Sequence, residues 1–142
     1  MMRCPHCSAG PLGCGCAKKV SEPGWDEMWE DQASFVRLLQ EKRGFPETPV
    51  DLTSKAGQTF VKRIIYEAAD ELHEVRGHLR NSKAHRATEV EGFDREAYVE
   101  EISDVLHYLI EVCIVSGVTA DELKRKYLEK GRINRERIAN GY

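Results

Sequence analysis

Long apolar runs are missing from this sequence. No stretch of its 142 residues is long and apolar enough to span a bilayer. The first residues also lack the apolar core of a secretion signal. The expectation from both absences is a cytoplasmic protein. Strand signals of weight and internal repeats are absent too, which points to an all-α fold. A net charge of −3 provides no general attraction to nucleic acid or to an anionic membrane. Cysteine is scarce after residue 16, where only Cys113 remains, and it reads as a small core residue. Lys and Arg are absent between Arg95 and Lys124. The acids in that interval therefore have no basic neighbours along the chain, as an ordinary solvated helix face would have.

What the interval does contain is Glu100, Glu101, Asp104, His107 and Glu111 within one helical pattern. At about 100° per residue, all of them fall within roughly 60° of Asp104. Ile102, Val105, Leu106, Leu109, Val112 and Cys113 lie on the other side. Like charges one turn apart destabilise a helix. A hard cation would turn that repulsion into attraction, because Mg²⁺ prefers carboxylate and water oxygens. The alternative is a solvated acidic face. A second helix has the same design: Glu67, Asp70, Glu71 and Glu74 form a stripe opposite Ile64, Ala68, Leu72, Val75 and Leu79. Two such helices packed antiparallel bring their stripes to one edge, a common place for metal sites in bundles.

Residues 1–24 form a separate Cys-rich segment with Cys4, Cys7, Cys14 and Cys16. Four thiolates suit a tetrahedral structural Zn²⁺, and His6 is a substitute ligand because the spacing is cramped. A reduced tail is the alternative. Residues 25–142 form the helical domain. Its expected helices run from Trp25 to Arg43, from a Thr53 or Ser54 cap to about Arg80, from an Asp94 cap to about Ser116, and from Ala120 to about Lys130. Thr119 with Glu122 fits a capping box. Gln32 and Gln40 are candidates to face a substrate, although surface glutamines need no explanation. The fold expected is an antiparallel bundle of four to five helices.

Lys83, His85 and Arg86 form a basic cluster between the acidic helices, and the C-terminal stretch is rich in Lys and Arg. An acidic metal site with a cationic tail is what a metal–triphosphate complex requires. A charged loop and a frayed basic terminus are the simpler alternatives.

Glu101-Ile-Ser-Asp104 followed by Val-Leu-His-Tyr resembles the E-x-x-D motif of the all-α nucleoside triphosphate pyrophosphohydrolases, which include the MazG proteins and the dimeric dUTPases. Lys130, Asn134, Arg137, Gly141 and Tyr142 resemble the C-terminal signature of the dimeric dUTPase branch. Leu79 to Arg86 resembles a segment of phage MazG-like proteins, including the MazZ type that hydrolyses dATP and dGTP. The resemblance covers roughly residues 25–142. One departure concerns the first motif half, where Ala68 holds the position of an expected glutamate. Glu67, one turn before Glu71, lies on the same face and can substitute, and Glu71-x-x-Glu74 also satisfies the spacing.

The resemblance implies metal-dependent hydrolysis of a nucleoside triphosphate to monophosphate and pyrophosphate, with dATP or dGTP favoured and dUTP or dCTP as the alternative. Glu67, Glu71, Glu74, Glu101 and Asp104 would hold two or three Mg²⁺ or Mn²⁺. Glu71 or Glu74 would orient the attacking water. Lys130, Asn134 and Arg137, with Lys83 and Arg86, would neutralise the phosphates, and Tyr142 would meet the base or a phosphate. The resemblance also implies a homodimer or homotetramer, with Trp25, Trp29 and Phe35 as candidates for the contact. Two rival readings stand beside the hydrolase. One is a di-iron carboxylate bundle using His73 and His107 three residues after an acid. The other is a zinc-bearing helical interaction module.

Overall fold

The computed structural model describes residues 23–90 and 92–142. The segment carrying Cys4, Cys7, Cys14 and Cys16 lies outside the described residues, and the zinc expectation with it. The described residues form four helices and no strand: α1 (Trp25–Arg43), α2 (Lys55–Gly77), α3 (Arg95–Val115) and α4 (Ala120–Ala139).

The helix starts follow from local side-chain chemistry. Glu27 Oε2 accepts from the Gly24 N–H at 2.8 Å, Ser54 Oγ from Gly57 at 3.0 Å, Asp94 Oδ1 from Ala97 at 3.1 Å, and Thr119 Oγ1 from Glu122 at 3.2 Å. Each satisfies an N–H that the first turn leaves without a carbonyl. Gly44 ends α1 at φ 69, and Gly117 follows the end of α3 at φ 77, both left-handed positions that favour glycine. The last helix runs nine residues beyond the expected end at Lys130, to Ala139. Gly131 sits within it, and the ion pairs Lys126–Glu129 and Arg132–Glu136 bridge successive turns on either side.

Val61 and Ile64 of α2 share a core cluster with Val36 of α1 and Val115 of α3. At the other end of the pair, His78 and Tyr98 rings lie 6.4 Å apart. The early part of α2 thus meets the late part of α3, so the two run antiparallel. The helix α1 packs on α3, and α4 touches only α1 among the helices. The Val50 N–H donates to the Val115 carbonyl at 2.9 Å, tying the α1–α2 connection to the end of α3. Burying each core aliphatic contributes about 1.5–3 kcal/mol.

The core is small. Among the described residues seven apolar side chains are buried, and α4 buries none. The expected apolar sides are only partly covered. Ile64, Ala68 and Val75 of α2 are buried, but Leu72 and Leu79 are exposed; on α3 Ile102 and Leu109 are exposed, while Ile110 and Val115 are buried. Trp25 and Trp29 are half-buried and packed on each other at 5.7 Å, whereas Phe35 is exposed.

Candidate metal centre and its cavity

The antiparallel pairing of α2 and α3 sets Glu71 opposite Glu101 and Asp104. One carboxylate oxygen from each lies within 4.8 Å of the others, and all three side chains are half-buried. Three anions so close repel one another. The Glu71 carboxyl is accordingly pushed above its ordinary range, first by burial and then by the charges of Glu74, Asp104, Glu101 and Glu67. The oxygen-only donor set fits a hard divalent cation.

Among the expected acids, Glu71, Glu101 and Asp104 converge. Glu67, one turn before Glu71, is exposed and lines the same cavity as Glu71 and Asp104. Glu74, three residues after Glu71, is exposed and outside the wall of that cavity, but its charge acts on Glu71. Glu101 has a neighbour that sequence reasoning did not find: His78 Nε2 lies 3.6 Å from its Oε1. Neither His73 nor His107 belongs to the cluster.

The cluster borders a cavity of about 1090 Å³ between α1, α2 and α3. Phe35, Leu38, Leu39, Phe45 and Ile64 supply apolar wall, and Arg37 and Arg63 supply cations. Arg37 is paired with Glu30 at 2.7 Å, while the Arg63 guanidinium lies over the Phe60 ring. Nothing in the sequence distinguishes Arg63 from any other exposed helix base. Tyr108 also lines the cavity, and its phenol is pushed up by burial and then by Glu67, Glu71, Glu111 and Asp104, so it stays a hydroxyl donor.

The deep end of the cavity departs most from expectation. Gln32 is 2% exposed and Glu111 4%. Gln32 is therefore not a surface glutamine, and Glu111 does not lie on a solvated stripe. Gln32 Nε2 donates to Glu111 Oε2 at 3.4 Å, and His107 Nδ1 lies 2.7 Å from Gln32 Oε1. Gln40 acts elsewhere, donating to the Pro46 carbonyl at 3.0 Å and so holding the α1–α2 connection.

The basic candidates are not brought to the acids of their own chain. Lys130, Asn134, Arg137 and Tyr142 are exposed on or just after α4, which makes no contact with α2 or α3. The Arg137 guanidinium lies 5.4 Å from the Tyr142 ring centre. Lys83 and Arg86 are exposed in the α2–α3 connection, in a turn closed by the Arg86 N–H to the Lys83 carbonyl at 3.0 Å. No single helix is long and apolar enough to cross a membrane among the described residues. Comparison with family models, curated proteins and solved structures finds no match to the chain.

Proposed function

We propose that this chain is a metal-dependent nucleoside triphosphate pyrophosphohydrolase of the MazG and dimeric dUTPase type, with a purine deoxynucleotide as the favoured substrate. The observation that carries the reading is the convergence of Glu71, Glu101 and Asp104, of which Glu71 and Asp104 line a cavity large enough for a nucleotide.

Those three carboxylates, with Glu67 beside them, would hold Mg²⁺ or Mn²⁺. The bound ion supplies Lewis acidity and a water of lowered pKa. Glu74, exposed beside the cluster, would accept the proton of the attacking water. The water oxygen bonds to the α-phosphorus, the bond from that phosphorus to the bridging oxygen breaks, and pyrophosphate leaves. Arg63 provides positive charge from the cavity wall, and Tyr108 a hydroxyl donor.

A second copy of the chain completes the site. Supporting this is the position of α4, whose basic residues outnumber its acids, which buries no side chain, and which leaves Tyr127, Leu128 and Ile138 exposed. In a homo-oligomer its apolar residues are covered, and Lys130 and Arg137 of one copy approach the acidic cluster of the other.

The test is pyrophosphate release from a panel of dNTPs and NTPs with Mg²⁺ or Mn²⁺. Metal-dependent release that is lost in Asp104→Ala is expected. No release from any nucleotide by the folded protein overturns the reading.

A further inference from the structure

We infer that Gln32 and Glu111 form a nucleobase-reading end of the cavity. They bind a planar heterocycle through an adjacent hydrogen-bond donor and acceptor on its edge, and His107 positions the Gln32 amide.

The inference starts from two polar side chains that are almost wholly removed from water and incompletely paired. A buried polar group without full partners costs free energy. Glu111 receives one long hydrogen bond, 3.4 Å from Gln32 Nε2, and no cation neutralises it among the described residues. Both residues line the cavity, together with His107. Their unused hydrogen-bonding capacity is therefore available to a ligand in that cavity.

The local network sets which atoms are left over. A glutamine amide oxygen only accepts, so the 2.7 Å contact makes His107 Nδ1 the donor. One amide hydrogen of Gln32 goes to Glu111, and among the described residues the second has no acceptor. Among the described residues one oxygen of Glu111 has no partner either. A free amide N–H beside a free carboxyl oxygen matches an edge that presents an acceptor next to an N–H. Every nucleobase has such an edge: N1 with the N6 amine in adenine, O6 with N1–H in guanine. The apolar wall that Phe35, Leu38, Phe45 and Ile64 give the same cavity suits the faces of such a ring.

Distance supports the same assignment. Asp104 and Glu111 are two helical turns apart on α3, about 10 Å along its axis. That separation fits one nucleotide laid along the helix, with phosphate by Asp104 and base by Glu111. This placement of the phosphate rests on the pyrophosphohydrolase reading; the base-reading pair does not. Gln32 and His107 also line a second cavity of about 410 Å³, so the hydrogen-bonded trio stands between the two spaces.

The experiment is calorimetric titration of the full chain with dAMP, dGMP, dCMP, dUMP and deoxyribose 5-phosphate, with chelator present. The proteins are wild type, Glu111→Gln and Gln32→Glu, with circular dichroism melts to establish folding. Selective binding of at least one monophosphate over deoxyribose 5-phosphate is expected. Each variant should change the preference between bases tenfold or more, because an amide and a carboxyl offer different edges. Equal binding of every monophosphate and the bare sugar phosphate overturns the inference. So does binding of none, or an unchanged preference in folded variants, since a purely structural pair would alter melting without altering base choice. Pyrophosphate release from the matching triphosphates is measured in parallel. Base-selective binding without release refutes the hydrolase and leaves the base site standing. Release without base selectivity does the reverse.

Discussion

Gln32 Nε2 and Glu111 Oε2 meet at 3.4 Å across 79 positions of sequence, with both side chains buried. The separation exceeds the usual N–H···O range, so the bond compensates the carboxylate weakly. Burial pushes the Glu111 carboxyl above its ordinary value of 4.5. A raised carboxyl pKa in the folded state means that the native protein holds the proton longer than the unfolded chain. Stability is then full below the unfolded value and falls as pH rises through the folded one. Replacing Glu111 by Gln removes the buried ionisation while keeping the shape. The variant should melt higher than wild type at pH 7 to 8, by an amount equivalent to about 1–3 kcal/mol. The difference should vanish near pH 4. A melt series across pH decides this, and an advantage that persists at low pH would contradict the mechanism.

Glu71 and Asp104 make the opposite kind of demand. Their charges repel, and on the proposed reading a cation bound between them turns that repulsion into attraction. Glu71→Gln or Asp104→Asn should therefore raise the metal-free melting temperature slightly, by about 0.2–1 kcal/mol. The same changes should remove most of the stabilisation given by Mn²⁺, which for wild type at a hundredfold excess over Kd amounts to about 2.7 kcal/mol. Thermal melts with chelator and with Mn²⁺ read both effects. A variant that loses stability in chelator, or keeps the metal-induced rise, would show that these acids are structural.

Much of the fold is legible in the sequence because its signals are local. Ser54, Asp94 and Thr119 announce their helix starts as residue types, and Gly44 and Gly117 announce ends. The convergence of Glu71 with Glu101 and Asp104 is legible from two stripes and one antiparallel packing. Periodicity does not report which neighbour covers a given face. Leu72 and Leu109 sit on the expected apolar sides yet stay exposed, while Glu111 sits near the acidic stripe yet is buried under Gln32. The partner of Glu111 lies on α1, and nothing local to either residue encodes that meeting. The reach of α4 past Lys130 passes through Gly131, a weak helix former, and the exposed ion pairs on either side of it give no boundary signal in the sequence.

Gly57 provides a sharp test of the α1–α2 connection. It lies in the first turn of α2, where an added Cβ would sit 2.1 Å from the Asp51 carbonyl oxygen, a backbone atom with no freedom to withdraw. Gly57→Ala should cost about 1–3 kcal/mol through local displacement. Gly77, the last residue of the same helix, has nothing within 4 Å of the same added atom. Gly77→Ala should be neutral or stabilising by up to about 1 kcal/mol, because it restricts the unfolded chain. Urea denaturation of the two variants distinguishes them, and equal effects would contradict this packing.

The separation of α4 from α2 and α3 leads to a subunit-mixing prediction. If Lys130 and Arg137 act on the acids of another copy, two inactive variants should rescue each other. Asp104→Ala keeps a working tail, and the double variant Lys130→Ala, Arg137→Ala keeps working acids. In a two-fold dimer formed at random from equal amounts, half the dimers are mixed and each holds one intact site. Pyrophosphate release should therefore recover to about one quarter of wild type. Mixed only after cross-linking, the two should stay inactive. If the tail instead folds back on its own acids, no mixture recovers activity at any ratio. Tyr127→Ser with Leu128→Ser supplies an independent check. Both side chains are exposed in the single copy, so the monomer should lose less than about 0.5 kcal/mol. The mass by sedimentation should nevertheless fall to that of one chain, taking the activity with it.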